Sequence, residues 1–196
     1  MAHQADFTVR ETAELSGVAP GTIEKAIQSK IVPTFPATLH NNSKPTRHLP
    51  RGAVVFFHAL KAARLTRLPV THKKKIWQRL AGMDWPRLEN IEFSPYTVLH
   101  LENVPAELVA ATDRYLRDRE AFIHSDPDIL GGTPVIRGTR ITVYSVLGRL
   151  DGGETIDDLV EDYPEIDPRA FETAELYARS HPLRGRPAGR PWKTAS

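Results

Sequence analysis

The chain contains no cysteine, which excludes a disulfide framework, a thiolate zinc site and a cysteine nucleophile. It has no apolar run approaching the roughly 20 residues that a membrane-crossing helix requires. The opening MAHQADFTVRE lacks the basic and apolar regions of a signal peptide, so a cytoplasmic protein with no membrane partner is expected. The eight histidines are scattered, without the i, i+4 spacing that, joined to carboxylates, marks a metal cage. No metal and no other cofactor is expected. What is present is 196 residues, 40% hydrophobic and 26% charged, enough for two small domains that each bury a modest core.

The net charge of +2 conceals an asymmetry. Residues 1–80 carry 13 Lys/Arg against 4 Asp/Glu, residues 81–182 carry 9 against 20, and residues 183–196 carry 4 against none. A basic front block suits a nucleic-acid surface, because each phosphate neutralised releases condensed counterions. A solvated basic surface beside acidic neighbours would look the same, so local pattern has to decide.

Phe7 to Ile31, FTVRETAELSGVAPGTIEKAIQSKI, supplies that pattern. Thr8 and Glu11 form a capping box, and Val9, Ala13 and Ser16 share one helical face. Gly17 ends the helix, and Pro20 starts another at a position where its missing N–H is harmless. Ile23, Ala26 and Ile27 then recur at three and four. Two short helices around a tight turn form the unit whose second helix enters the major groove. With Ile23, Ala26 and Ile27 taken by the core, Thr22, Lys25 and Gln28 or Ser29 face the DNA.

The next stretch, Val32 to Pro50, has Pro33, Pro36, Pro45 and Pro50 with an Asn-Asn-Ser run. Extended ends around a turn predict a β-wing, with Lys44, Arg47 and His48 placed to touch phosphate. Arg51 to Leu68 reads as the helix that closes the core, and THKKKIWQRL as one more amphipathic helix, with Arg64, Arg67 and Lys73 to Lys75 extending the basic face. Leu88 to Glu92 and Tyr96 to Glu102 alternate around Ser94-Pro95 and predict a hairpin, open to pairing within the chain or across a dimer. Pro105 opens a connecting helix to Ala121, its arginines read as partners in i, i+4 charge pairs.

The segment DPDILGGTPVIRGTRITV, followed by GETIDDL and DYP, resembles a small domain of unknown function found in antitoxins of bacterial type II toxin–antitoxin pairs. The front half is similar to the winged helix-turn-helix of MerR-type regulators and to the DNA-binding domain that accompanies this antitoxin domain in some VapB-like proteins. The resemblance implies a three-helix region itself related to DNA-binding helix-turn-helix domains. It also implies a toxin partner of the VapC class, a PIN-domain ribonuclease with metal-binding carboxylates.

The acids of this half could suggest a hydrolase. Glu154 to Asp158, with Asp151, fall at a helix start, where carboxylates favour the positive end of the dipole. Ile156, Leu159, Val160 and Tyr163 give that helix its apolar face. Asp167-Pro168 then caps a last helix whose core stripe is Ala170, Phe171, Ala174, Leu176, Tyr177 and Ala178, with Glu172, Glu175, Arg169 and Arg179 displayed outward. So acidic a surface repels phosphate, and the expected role of this domain is to organise a dimer or hold the tail. Arg137 and Arg140 suit either a phosphate or partner carboxylate, or the domain's own acids, Asp157 or Glu161.

The tail LRGRPAGRPWKTAS has no acids and no apolar period. Its RGRP resembles an AT-hook core for the minor groove; alternatively Arg184, Arg186 and Arg190, anchored by Trp192, enter the toxin's acidic cleft.

The sequence thus predicts a mainly α protein with short β elements. A winged helix-turn-helix domain (1–80) is joined by a hairpin and helix (81–120) to a three-helix antitoxin domain (121–182), with a basic tail (183–196). The function read from it is an antitoxin and autorepressor, a homodimer that binds operator DNA through Thr22, Lys25, Gln28, Lys44 and Arg47. It binds its toxin through Arg184, Arg186, Arg190 and Trp192, and has no catalytic residues and no small-molecule substrate. A stand-alone DNA-binding regulator is the alternative, and a metal-dependent hydrolase a distant third.

Overall fold

The computed structural model describes residues 6–37 and 46–183. Over these residues the chain is mainly helical, with eight α-helices and three small antiparallel sheets.

A two-residue strand β1 (Phe7–Thr8) runs directly into α1 (Val9–Ser16). The capping box forms as the sequence predicts: Glu11 N donates to Thr8 Oγ1 at 3.1 Å, and Thr8 N donates to Glu11 Oε2 at 2.7 Å. Gly17 ends the helix with φ 66°, a left-handed backbone that glycine adopts without Cβ strain. Pro20 then opens α2 (Pro20–Gln28). Two strands follow, β2 (Phe35–Ala37) and β3 (Thr46–Leu49), with Phe35 opposite His48 and Ala37 opposite Thr46. Strand β1 pairs with the other edge of β3, giving the order β1-β3-β2.

Helix α3 (Gly52–Ala62) lies in the middle of this half, and every residue from Ala53 to Phe57 is buried. It stops six residues short of the sequence expectation. Arg64 takes φ 58°, so that Arg64 N reaches Lys61 O at 3.0 Å and Leu65 N reaches Leu60 O at 2.8 Å. This is a Schellman ending, sealed by Leu65 packing back on the core. The usual glycine signal is missing because an arginine occupies its place. Helix α4 (Val70–Ala81) packs on α3 through Ile76, Trp77 and Leu80, and a hairpin of β4 (Ile91–Ser94) and β5 (Thr97–Leu99) lies against it.

Helix α5 (Ala106–Phe122) leads to the second half: β6 (Ile123–His124), β7 (Val135–Ile136), α6 (Val143–Asp151), α7 (Ile156–Asp162) and α8 (Pro168–Ser180). Between Gly131 and Val143 the strand is limited to the two residues of β7. Gly131, Gly132 and Gly138 all have positive φ, so the chain bends sharply on either side of Val135–Ile136. The core here gathers Ile136, Val143, Val146, Leu159, Phe171, Ala174 and Tyr177. A small third cluster, Phe7, Val54 and Tyr115, with Leu176 packed on it, joins the two halves. Helix α8 packs on α5 and α1 as well as on α6, and Thr173 and Ser180, between Tyr177 and Leu176 on the helix surface, are also buried.

Candidate nucleic-acid interface

On α2, Ile23 and Ala26 are buried and fix the helix rotation, leaving Lys25 and Gln28 exposed and Thr22 half-buried. The structure therefore brings together three of the five residues assigned to DNA, spaced by three along one face. A fourth, Arg47, projects from β3 towards the same helix and grips Glu24 with a two-pronged fork, Nη2 lying 3.1 and 2.8 Å from the two carboxylate oxygens. The pair is open to water, with the arginine side chain 54% exposed, so it is weak and a phosphate can compete for it. Replacing Glu24 with Gln frees Arg47, and the expected result is a several-fold gain in duplex affinity with a steeper salt dependence, read by titration at several ionic strengths. Lys44 lies outside the described residues, as do Arg184, Arg186, Arg190 and Trp192.

His48 was expected beside phosphate, but it is 1% exposed, with Nε2 2.9 Å from Thr46 Oγ1. Burial in β3 follows position along the strand, with Thr46 and Arg47 exposed and His48 and Leu49 buried, and His48 lies where β3 is flanked on both sides, opposite Thr8 and Phe35. The basic residues of α4 do not form a uniform stripe either. Lys73 donates to Thr66 O at 2.6 Å. Lys75 and Arg79 line an open groove of about 640 Å³ with Arg87, and Asp84, Glu89 and Glu92 line it too.

In the C-terminal half the motif residues RGTR have local structural tasks. Arg137 Nε and Nη2 donate to the carbonyls of Ala121 and Glu120 at 2.8 and 3.0 Å, and its backbone N donates to Phe122 O at 2.7 Å. A cation thus closes the negative end of α5, in place of the pairing with Asp157 or Glu161 considered from sequence. Gly138, with φ 79°, makes the turn that returns Arg137 to that helix. Thr139 closes the turn by donating to Ile136 O at 2.8 Å. Among the described residues, Arg140 is exposed and forms no ion pair.

Several acids of this half are capped or paired. Asp158 completes a capping box with Thr155, and Arg149 binds Glu154 and Asp162. Asp151, expected at a helix start, is the last residue of α6 and pairs with Arg179 at 3.0 Å. Arg169 pairs with Asp167 at 2.7 Å and reaches Asp118 at 3.5 Å. Two arginines that α8 displays are therefore already neutralised.

Sequence reading treated Glu11 as a capping residue and gave the arginines of α5 only surface charge pairs; the structure places Glu11 and Arg119 in a buried joint. The Glu11 side chain is 0% exposed. While Oε2 caps α1, Oε1 accepts from Tyr115 Oη at 2.9 Å and from Arg119 Nη1 at 2.7 Å. Arg119 Nη2 also donates to Asp6 O at 3.0 Å. Burial pushes the Glu11 carboxyl up, but the charge of Arg119, aided by His181 and the Thr8 amide, holds it below the usual carboxylate range. The Tyr115 hydroxyl is held well above its ordinary value by burial and by Glu11.

His181, just past α8, stacks on Tyr177 with ring centroids 4.1 Å apart, and its carbonyl accepts from Tyr144 Oη at 2.7 Å. Burial lowers the imidazole pKa. Arg119 of α5 and Arg10 of α1 act in the same direction, whereas Glu11 of α1 and the Tyr177 carbonyl of α8 oppose it. Because the folded form disfavours the imidazolium, the unfolded chain binds the proton first, and stability falls as pH drops from the ordinary imidazole value of about 6.5 towards the depressed folded value. Glu11 extends the loss at lower pH, since a lowered carboxylate pKa stabilises only above the unfolded value. Urea midpoints taken from pH 7.5 to 5 are expected to fall, and His181→Gln to flatten the slope; one proton contributes at most about 1.4 kcal/mol per pH unit.

Comparison with known proteins adds the following. Residues 123–178 match the family model described as "Protein of unknown function (DUF433)", the same region that carries the GGTPVIRGTRITV motif. Over 188 residues the chain is 30% identical to "Uncharacterized protein y4eO" of Sinorhizobium fredii, covering 90% of this chain and 81% of that protein. The crystal structure of a DUF433 member from Anabaena variabilis aligns at 27% identity over 42% of this chain and 81% of that one, with a TM-score of 0.31. The crystal structure of Rv2018 from Mycobacterium tuberculosis aligns at 18% identity over 87% and 97%, with a TM-score of 0.32.

Proposed function

We propose, for a chain that belongs to the family of the Sinorhizobium fredii protein y4eO and carries a DUF433 segment at residues 123–178, a function of contact: an antitoxin that represses its own operon. In this reading residues 1–80 are a winged helix-turn-helix of the MerR-like kind, acting as a homodimer on operator DNA. The C-terminal half and tail neutralise a VapC-like ribonuclease.

The observation that carries the reading is the face of α2. Thr22, Lys25 and Gln28 share one face, a three-residue turn separates α2 from α1, and Arg47 of β3 reaches Glu24 of the same helix. A helix held by its apolar face with short polar and cationic groups outward is what major-groove docking requires. Against the hydrolase reading, Asp158 caps α7, Glu154 and Asp162 pair with Arg149, and Asp151 pairs with Arg179.

The test has two arms. The full chain is titrated with a duplex from its own upstream region at several salt concentrations, and co-expressed with the product of the neighbouring reading frame. Sequence-selective, salt-dependent binding together with capture of an acidic nuclease supports the whole reading. DNA binding without a captured partner leaves the stand-alone regulator, and absence of both overturns the proposal.

A further inference from the structure

The joint around Glu11 brings together side chains that are far apart along the chain. The cap of the first helix of the α1–α2 pair and helix α5 meet on one carboxylate, and α8 packs on both helices. Its first oxygen closes α1 through Thr8; its second is held by Tyr115 and Arg119 of α5, more than a hundred residues away along the chain. Phe7, two residues before α1 begins, stacks on the Tyr115 ring at 6.2 Å. Leu176 of α8 packs on the same small cluster. The end of α8 is in turn pinned to α6 through Tyr144 and the His181 carbonyl.

A surface ion pair would transmit nothing, since water and mobile side chains absorb any disturbance. A buried carboxylate has no such freedom. If Arg119 or Tyr115 shifts, Glu11 must follow or stand uncompensated, and its other oxygen is the cap of α1. Dense packing around Phe7, Val54 and Tyr115 removes the remaining slack.

We propose that Glu11, Tyr115 and Arg119, with Leu176 of α8 packed beside them, form a mechanical coupling joint through which the α1–α2 pair and the DUF433 half open and close together. The coupling lies in the chain itself and does not depend on which macromolecule either half binds. Like any coupling free energy it is reciprocal: a disturbance at the end of α8 loosens α1 by the factor with which a disturbance at the α1 cap loosens α8.

Native-state hydrogen exchange on the full chain tests this with two mild variants, one on each side. Tyr144→Phe removes the hydroxyl that holds the His181 carbonyl, and Thr8→Ala removes the side-chain cap of α1. Each variant is expected to speed amide exchange about tenfold both in α1 and in the last turn of α8. Helix α4, which packs on α3 and β4, stays within about twofold of the wild type and serves as the control. The joint is disproved if Tyr144→Phe speeds only α8, if Thr8→Ala speeds only α1, or if α4 accelerates by the same factor, which is the mark of global unfolding.

Discussion

Replacing Arg119 with Met lowers the free energy of unfolding by about 3–5 kcal/mol, the cost of leaving a buried charge without its partner. Methionine keeps much of the volume, so packing changes little. The Glu11 carboxylate stays wholly buried, and with Arg119 gone it keeps only the Tyr115 hydroxyl and the Thr8 amide. Asp6 O also loses its donor. Against a total stability of about 5–15 kcal/mol for a protein of this kind, the loss is large enough to move a urea midpoint by more than 1 M at ordinary m-values. The double variant Glu11→Gln/Arg119→Met removes the stranded charge and is expected to regain at least half of the loss. A fall below 1 kcal/mol in the single variant would show that water reaches the carboxylate.

The sequence carried those parts of the fold in which a residue and its consequence lie within a turn of each other. Thr8 and Glu11 are three positions apart, Gly17 and Pro20 punctuate one loop, and Asp167-Pro168 starts α8; each forms as its local chemistry dictates. Three kinds of feature were hidden. One is a signal written in an unexpected residue, as where Arg64 takes the left-handed position at the end of α3. Another is position within the sheet, which buries His48 where β3 is flanked by both β1 and β2. The last is tertiary partnership: nothing near Glu11 indicates Arg119, and nothing near Arg137 indicates the end of α5. Tyr115 and Arg119 stand at i, i+4 with the guanidinium 5.8 Å from the ring centroid, and that cation beside an aromatic on a half-buried helix face was the available hint. The candidate interface was more legible than the joint, because an exposed face follows by elimination once the apolar stripe of α2 is known.

Reversing the charge at Lys25 should have the largest effect on function: Lys25→Glu is expected to weaken duplex binding about 100-fold near 0.1 M salt, and Lys25→Ala about tenfold. Lys25 is exposed in the last turn of α2 and forms no ion pair among the described residues, so its charge is fully available to a phosphate. Its loss removes one released counterion, which lowers the slope of log K against log[salt] by about 1 for alanine; glutamate adds repulsion from the same backbone. The stability cost is small, about 0.3–1 kcal/mol for a cation lost from a helix end, so folding and binding effects separate in a urea titration. Gln28→Ala, one turn on, is expected to flatten discrimination between sequences while leaving the salt slope unchanged, because a neutral side chain reads base edges and releases no ion. If Lys25→Glu binds DNA as the wild type does, with the same slope, then α2 does not lie in the groove and the basic charge of residues 1–80 serves another face.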